Sequence, residues 1–195
     1  MFAREGLLRG GVIDQVREAT SGIASPRVLE LGCGTGSLAL ALAESLKSAS
    51  IEGLDLDPVA LSIARRKRGS DGVEWSVGNV LDEPPAPGSW DCVVISLVLH
   101  HLMPADQPIA LSRAFTALRP GGTLHVVDFA PPGNRIARLG WPILQRIDGV
   151  ENTTPLGLGA LPLMIDDSGF SDRKLIQRYN TIFGTNEQYR AIRAA

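Results

Sequence analysis

Along the first two thirds of the chain, short apolar runs closed by glycine, proline or an acid alternate with segments whose apolar residues recur every three or four positions. The run at 27–31 meets three alternating glycines and then an alanine- and leucine-rich helix over 37–45. A second strand covers 50–55 and ends in an acid, and Asp57 and Pro58 then start a helix over 59–66 as N-cap and first helical residue. Residues 73–77 alternate as Val, Glu, Trp, Ser, Val, the pattern of a third strand. The loop EPPAPG over 83–88 can continue neither helix nor central strand. The most apolar stretch starts at 90–96 and suits a central strand covered on both faces. A helix over 107–118, closed by LRPGG, leads to a strand at 123–129. Upstream, Leu8, Val12 and Val16 fall at helical spacing within 7–20, weakened by Gly10 and Gly11.

The pattern changes at Ala130. Pro131, Pro132 and Gly133 break the chain, and residues 136–147 then form an amphipathic helix with arginines between the apolar positions, interrupted by Gly140 and Pro142. Gly157, Gly159 and Pro162 precede a short helix over 161–168. The segments 174–180 and 188–192 read as two strands of an antiparallel hairpin.

Composition narrows the reading. With 195 residues, 44% hydrophobic and 21% charged, the chain is long enough for one domain with a sizeable core. Nineteen basic and 21 acidic residues without a long basic run leave nothing built to neutralise a phosphate backbone, so no nucleic-acid partner is expected. Cys33 and Cys92 suit small buried side chains rather than a disulfide or a metal site, which points to a reducing compartment. The opening segment carries charges where a secretory signal needs an apolar core, and no run reaches the length of a membrane span, so a cytoplasmic protein without stable membrane insertion is expected.

The glycine stretch carries the chemistry. Gly32, Gly34 and Gly36 free the backbone for a sharp turn and for close approach of a ligand to the amides that open the next helix. A dinucleotide fingerprint needs a third glycine where this chain has Ser37, and a P-loop needs a lysine followed by Ser or Thr, which is missing. Glu30 followed by G-x-G-x-G, the run Gly53 to Pro58, the run Gly78 to Val80, and Trp90 through Asp128 with its L-H-H-L and R-P-G-G turns occur in one order over about 100 residues. Together they resemble the class I S-adenosylmethionine (SAM) dependent methyltransferases, in the ubiquinone-biosynthesis and small-molecule branch.

That resemblance implies an α/β, Rossmann-like, doubly wound sheet of seven mostly parallel strands with a C-terminal antiparallel hairpin and helices on both faces. It implies one domain over 1–195, with 1–25 as an N-terminal helical cover and 130–160 as a substrate-side lid. SAM is the implied cofactor, bound by Glu30, Gly32, Cys33, Gly34, Gly36, Asp55 with Leu56, Asn79, Val80 and Ser96. Asp55 is preferred to Asp57 as acceptor for both ribose hydroxyls, because Asp57 has its capping role. The residue after Gly78 faces the adenine amino group in the family. Asn79 stands here instead of the common aspartate and keeps a carbonyl acceptor, though a turn using Gly78 and Asn79 explains the same residues.

Methyl transfer from a sulfonium is an in-line displacement in which positioning can suffice. His100, His101 and Asp128 are candidate catalytic residues. The histidines could equally face solvent or a loop carbonyl, and Asp128 could cap the loop beyond its strand; His125 reads as structural. Ser96-Leu97-Val98 is not the Asn/Asp-Pro-Pro-aromatic motif of amino-group methylation, Cys92 is mid-strand, and no acidic cluster replaces LVLHH, so no metal is expected. There remains a small, partly apolar acceptor methylated at O, N or C, with the protein a monomer or homodimer. Trp141, Leu144, Leu156, Leu158 and Met164 either line its pocket or pack on the sheet. The rival readings are a non-catalytic SAM-binding protein and a nicotinamide-dependent oxidoreductase.

Overall fold

In the computed structural model of the protein, residues 2–194 are described, residue 6 and residues 8–194 with their side chains. Residues 1 and 195, the expected ends of the domain, and the side chains of Arg4 and Glu5 in the charged opening segment lie outside the described residues.

Seven strands form one sheet in the order β3-β2-β1-β4-β5-β7-β6. Strands β1 (Arg27–Leu31), β2 (Ser50–Asp55), β3 (Val73–Val77), β4 (Trp90–Ser96) and β5 (Leu118–Ala130) run parallel. β7 (Thr185–Ile192) pairs antiparallel with β5, and β6 (Ser171–Asn180) antiparallel with β7. This is the mostly parallel sheet with a C-terminal hairpin that the sequence predicts.

Strand side chains alternate between two cores, one on each face of the sheet. Val28, Val94 and Val127 pack with Val12 and Val16 of α1 (Phe2–Thr20) and Leu38 and Leu42 of α2 (Ser37–Ser45). Leu29, Val93, Ile95 and Val126 face the other way, against Leu111 of α4 (Gln107–Ala117), Leu156 of α6 (Val150–Gly157) and Ile165 of α7 (Leu161–Asp167). Burying each such side chain contributes about 1.5–3 kcal/mol, which is why the interior strands read as near-continuous apolar runs. Helix α3 (Pro58–Arg65) starts as expected, with the Asp57 carboxylate accepting from the Val59 amide at 2.8 Å.

Two local readings are corrected, and one helix lies where no element was assigned. Helix α5 (Arg135–Asp148) continues through Gly140 and Pro142 rather than breaking there. At Gly140 the 181–184 turn packs against the helix, where a Cβ would stand 2.0 Å from the Ile182 carbonyl oxygen, and Pro142 stays on the exposed side. Helix α6 forms over residues to which the sequence pattern assigned no element, with Thr153 and Leu156 buried and tertiary packing overriding Pro155. β5 starts at Leu118, with a register shift against Trp90 and Cys92, so LRPGG belongs to the strand as well as to the turn. Among the described residues no helix is long and apolar enough to cross a membrane.

Candidate active site

From β1 the sheet order steps to β2 on one side and to β4 on the other, which opens a crevice at the carboxyl ends of these strands. The glycine loop fills its floor. Gly32 and Gly36 have φ of 73° and 77°, and a Cβ on Gly36 would lie 2.3 Å from the Trp75 ring, so both backbone hand and space require glycine. The Gly32 and Cys33 amides donate to the Leu54 carbonyl at 2.8 and 3.0 Å, which ties the loop to the end of β2. The Gly34 amide donates to Asp55 Oδ2 at 2.6 Å, and the Asp57 amide to Asp55 Oδ1 at 2.9 Å. Each oxygen of Asp55 keeps a second lone pair for a ligand.

A cleft of about 340 Å³ lies over this loop, lined by Glu30, Gly32, Cys33, Gly34, Ser96 and Leu97. Leu8 and Arg9 of α1 close its far side. Glu30 is buried, and its Oε2 has no hydrogen-bond partner. Burial pushes its pKa up to about 8, a hydrogen bond from the Ala39 amide opposes this, and the charge of Asp55 adds to it. The Cys33 thiol is raised by burial and by Glu30 and Asp55, so it stays protonated.

A second cleft of about 520 Å³ adjoins the first, since Leu8 and Leu97 line both. Leu97 holds φ of 58°, an uncommon backbone for a branched residue, at the turn leaving β4. The second cleft is mostly apolar, with Phe129, Leu144, Ile182 and Phe183 in its wall and His100, His101, Asp148, Thr181 and Asn186 as polar groups. The Asn186 side-chain oxygen is buried without a partner.

Asp128 is fully buried beneath the turn that carries the histidines. Its Oδ1 meets His100 Nδ1 at 2.7 Å, and its Oδ2 accepts from the Val98 and Leu99 amides at 3.1 and 2.8 Å. The His100 ring also stacks on Phe129, with centroids 4.1 Å apart. Burial works against the imidazolium, but the charge and hydrogen bond of Asp128 outweigh it and leave the His100 pKa raised. His101 reaches the surface with its ring half-buried, and this partial desolvation, then the charge of His100, lowers its pKa. Donor atoms of His100, His101 and Asp148 lie within 4.8 Å of one another, a two-histidine, one-carboxylate grouping invisible in chain order.

The structure therefore gathers Glu30, Gly32, Cys33, Gly34 and Ser96 at one cleft, with Asp55 joined to it through Gly34, and His100 and His101 at the next. Gly36 lies behind the loop as the N-cap of α2. Asn79, Val80 and Leu56 are not among the lining residues: Asn79 Oδ1 accepts from the Leu81 amide at 3.0 Å, Val80 is buried in the core, and Leu56 is exposed beside Asp55. Asp128 orients His100 rather than facing the cleft. His125 is buried against Thr123, its pKa pushed down to about 3 by burial and then by Arg190. Of the apolar residues downstream of Ala130, Leu144 lines the cleft, Trp141, Leu156 and Met164 pack on the core, and Leu158 is exposed. Leu97, Phe129, Asn186 and the 181–184 turn were not expected at the site. Only the position of Leu97 after β4 could have signalled its place.

A family model described as a methyltransferase domain matches residues 28–122. The demethylmenaquinone methyltransferase of Thermus thermophilus is 39% identical over 111 residues, covering 56% of this chain and 50% of that protein. An uncharacterized methyltransferase of Synechocystis sp. is 33% identical over 148 residues, 74% of this chain and 66% of that protein. The chain thus spans half to about two thirds of the length of these curated relatives. The phosphoethanolamine N-methyltransferase 2 of Haemonchus contortus, solved with S-adenosyl-L-methionine, superposes with a TM-score of 0.71 at 13% identity, covering 92% of this chain and 51% of that one, a likeness of fold.

Proposed function

The chain belongs to the class I SAM-dependent methyltransferases, and from that premise we propose that it binds SAM in the first cleft and methylates an O, N or C atom of a small, partly apolar acceptor held in the second. The observation that carries this reading is the contact between the clefts: a polar one floored by glycine-loop backbone opens at Leu97 and Leu8 onto an apolar one with two histidines. SAM supplies a methyl group already activated on a sulfonium. The residues present fit it: the unpartnered Glu30 oxygen offers a buried counter-charge to a cationic group, and Asp55 offers free lone pairs to hydroxyls.

The chain's part in the reaction is alignment. The loop and Asp55 fix one reactant, and the apolar wall of Phe129, Leu144 and Ile182 holds the other and keeps water from the line between them. His100, its Nδ1 held by Asp128, presents Nε2 as base for an acceptor proton that must leave, and Asn186 orients the acceptor. His101 is a second candidate at the same wall. In this reading the chain acts as one methyltransferase unit in a reducing compartment, with 130–160 as the lid on the acceptor side.

Calorimetric titration with SAM, its demethylated product and NADH tests the cofactor. Micromolar binding of the first two with none of NADH is expected. Transfer of labelled methyl from SAM to a panel that includes demethylmenaquinone, the compound in the name of the Thermus relative, then tests turnover. Binding without transfer to any acceptor would favour a non-catalytic SAM-binding role, and no binding of SAM or product would end the proposal.

A further inference from the structure

We propose that α5 is a docking face for an anionic lipid bilayer, lying in the headgroup plane beside the mouth of the second cleft. The helix has three sides. Ala137 and Gly140 are buried, and Leu144 and Asp148 point to the cleft. On another side Ile136, Leu139, Ile143 and Ile147 repeat at three- and four-residue steps and are between 51% and 79% exposed. Val150, which opens α6 just beyond Gly149, is exposed as well, at 58%. At 3.6 residues per turn these four α5 residues fall within an arc of about 80°. Arg135, Arg138 and Arg146, all exposed, line one flank of that arc.

A helix of a globular protein buries its apolar stripe; α5 buries one and leaves a second uncovered. An apolar row with arginines along its edge suits a helix lying in a lipid interface, the row in the acyl boundary and the guanidinium groups among phosphates. The one carboxylate in α5, Asp148, lies on the cleft side, so nothing on the stripe repels an anionic surface. An isologous pairing of two copies through this face would instead bring three arginines from each into one interface with no carboxylate on the stripe to neutralise them.

The apolar surface continues to the cleft. The 181–184 turn lies against α5 at Gly140, and its exposed Ile182 and Phe183 line the second cleft. Docking by this face turns the cleft mouth toward the bilayer. That the acceptor enters from the lipid phase rests on the reading given above; the docking itself does not.

Co-sedimentation of the full chain with phosphatidylcholine vesicles, with and without about 30% phosphatidylglycerol, tests the proposal. The wild-type protein is expected to pellet with the anionic vesicles, less with neutral ones, and to be released as salt rises. The double variant Leu139→Glu/Ile143→Glu should lose about tenfold or more in partitioning, and Arg135→Glu/Arg138→Glu should lose the preference for anionic lipid. These residues line neither cleft, so unchanged SAM affinity in both variants certifies the fold. A chain that stays in the supernatant with both vesicles, or variants that partition like wild type, would overturn the proposal. So would a dimer, seen by light scattering, that the Leu139→Glu/Ile143→Glu variant dissolves without any vesicle binding in the wild type. Failure of the methyltransferase reading shows separately, as wild-type protein that does not bind SAM.

Discussion

Asp55 shows how far single residues can be read from the chain. Its place at the end of β2 follows from a short apolar run that stops at an acid, and the glycine loop next to it follows from spacing alone. Chain order does not show that the loop amide of Gly34 holds the carboxylate, because that bond joins residues 21 positions apart. Asp55→Ala removes both this anchor and the two free lone pairs, so it should weaken SAM binding by roughly 1.5–3 kcal/mol, about 10- to 150-fold in Kd. Asp55→Asn keeps one acceptor oxygen and should fall between the two. Calorimetry on variants with native circular dichroism checks this, and unchanged affinity in the alanine variant would take Asp55 out of the site. His100 and Asp128 mark the limit of such reading. Each is visible as a candidate, but their 2.7 Å contact spans 28 positions and depends on how β5 lies under the turn after β4. At Asn79 the structure shows the use that local chemistry alone supports, a side-chain oxygen accepting from the Leu81 amide of its own turn.

Among the elements, the interior strands β1, β2 and β4 are legible to the residue because burial on both faces leaves their apolar runs little freedom, and the edge strand β3 is legible from its alternation. Legibility fades where neighbours decide. The first hairpin strand is expected from Lys174, yet β6 opens at Ser171, which pairs with Ile192. α6 forms across Pro155 for the sake of two buried side chains. Gly140 allows a test of which influence governs α5. In a free helix Gly→Ala stabilises by about 1 kcal/mol. Here the added carbon would stand 2.0 Å from one backbone atom of the 181–184 turn and 2.7 Å from another, and backbone cannot swing aside as a side chain can. The clash should win, so Gly140→Ala is expected to cost about 1–3 kcal/mol and to lower Tm by several degrees. A higher Tm would mean that the turn is not held against the helix.

Stability belongs to the whole molecule, and Glu30 makes it depend on pH. The end of β1 places this buried carboxyl in the wall of the first cleft with one oxygen unpartnered, and burial raises its pKa from 4.5 to about 8. Below pH 4.5 folded and unfolded chains both hold the proton, and the contribution of Glu30 is fully present. As pH rises toward 8 the unfolded chain has released its proton while the folded one keeps it, so this contribution falls by up to about 1.4 kcal/mol per unit and is gone above the folded value. Urea unfolding of wild type and Glu30→Gln at pH 5, 6.5 and 8 isolates it, since other titrations cancel in the difference. Wild type should lose stability relative to the variant at each step, and parallel curves would refute the buried, unpartnered carboxyl. The same proton ties stability to function. A cationic group of SAM set against Glu30 supplies the counter-charge that burial withholds, so binding near pH 7 should expel a proton. Calorimetric enthalpies of SAM binding should then vary with the ionisation enthalpy of the buffer in wild type and not in Glu30→Gln. A wild-type enthalpy independent of buffer would show that the charge of the ligand is met elsewhere, and Glu30 would remain a structural acid of the sheet.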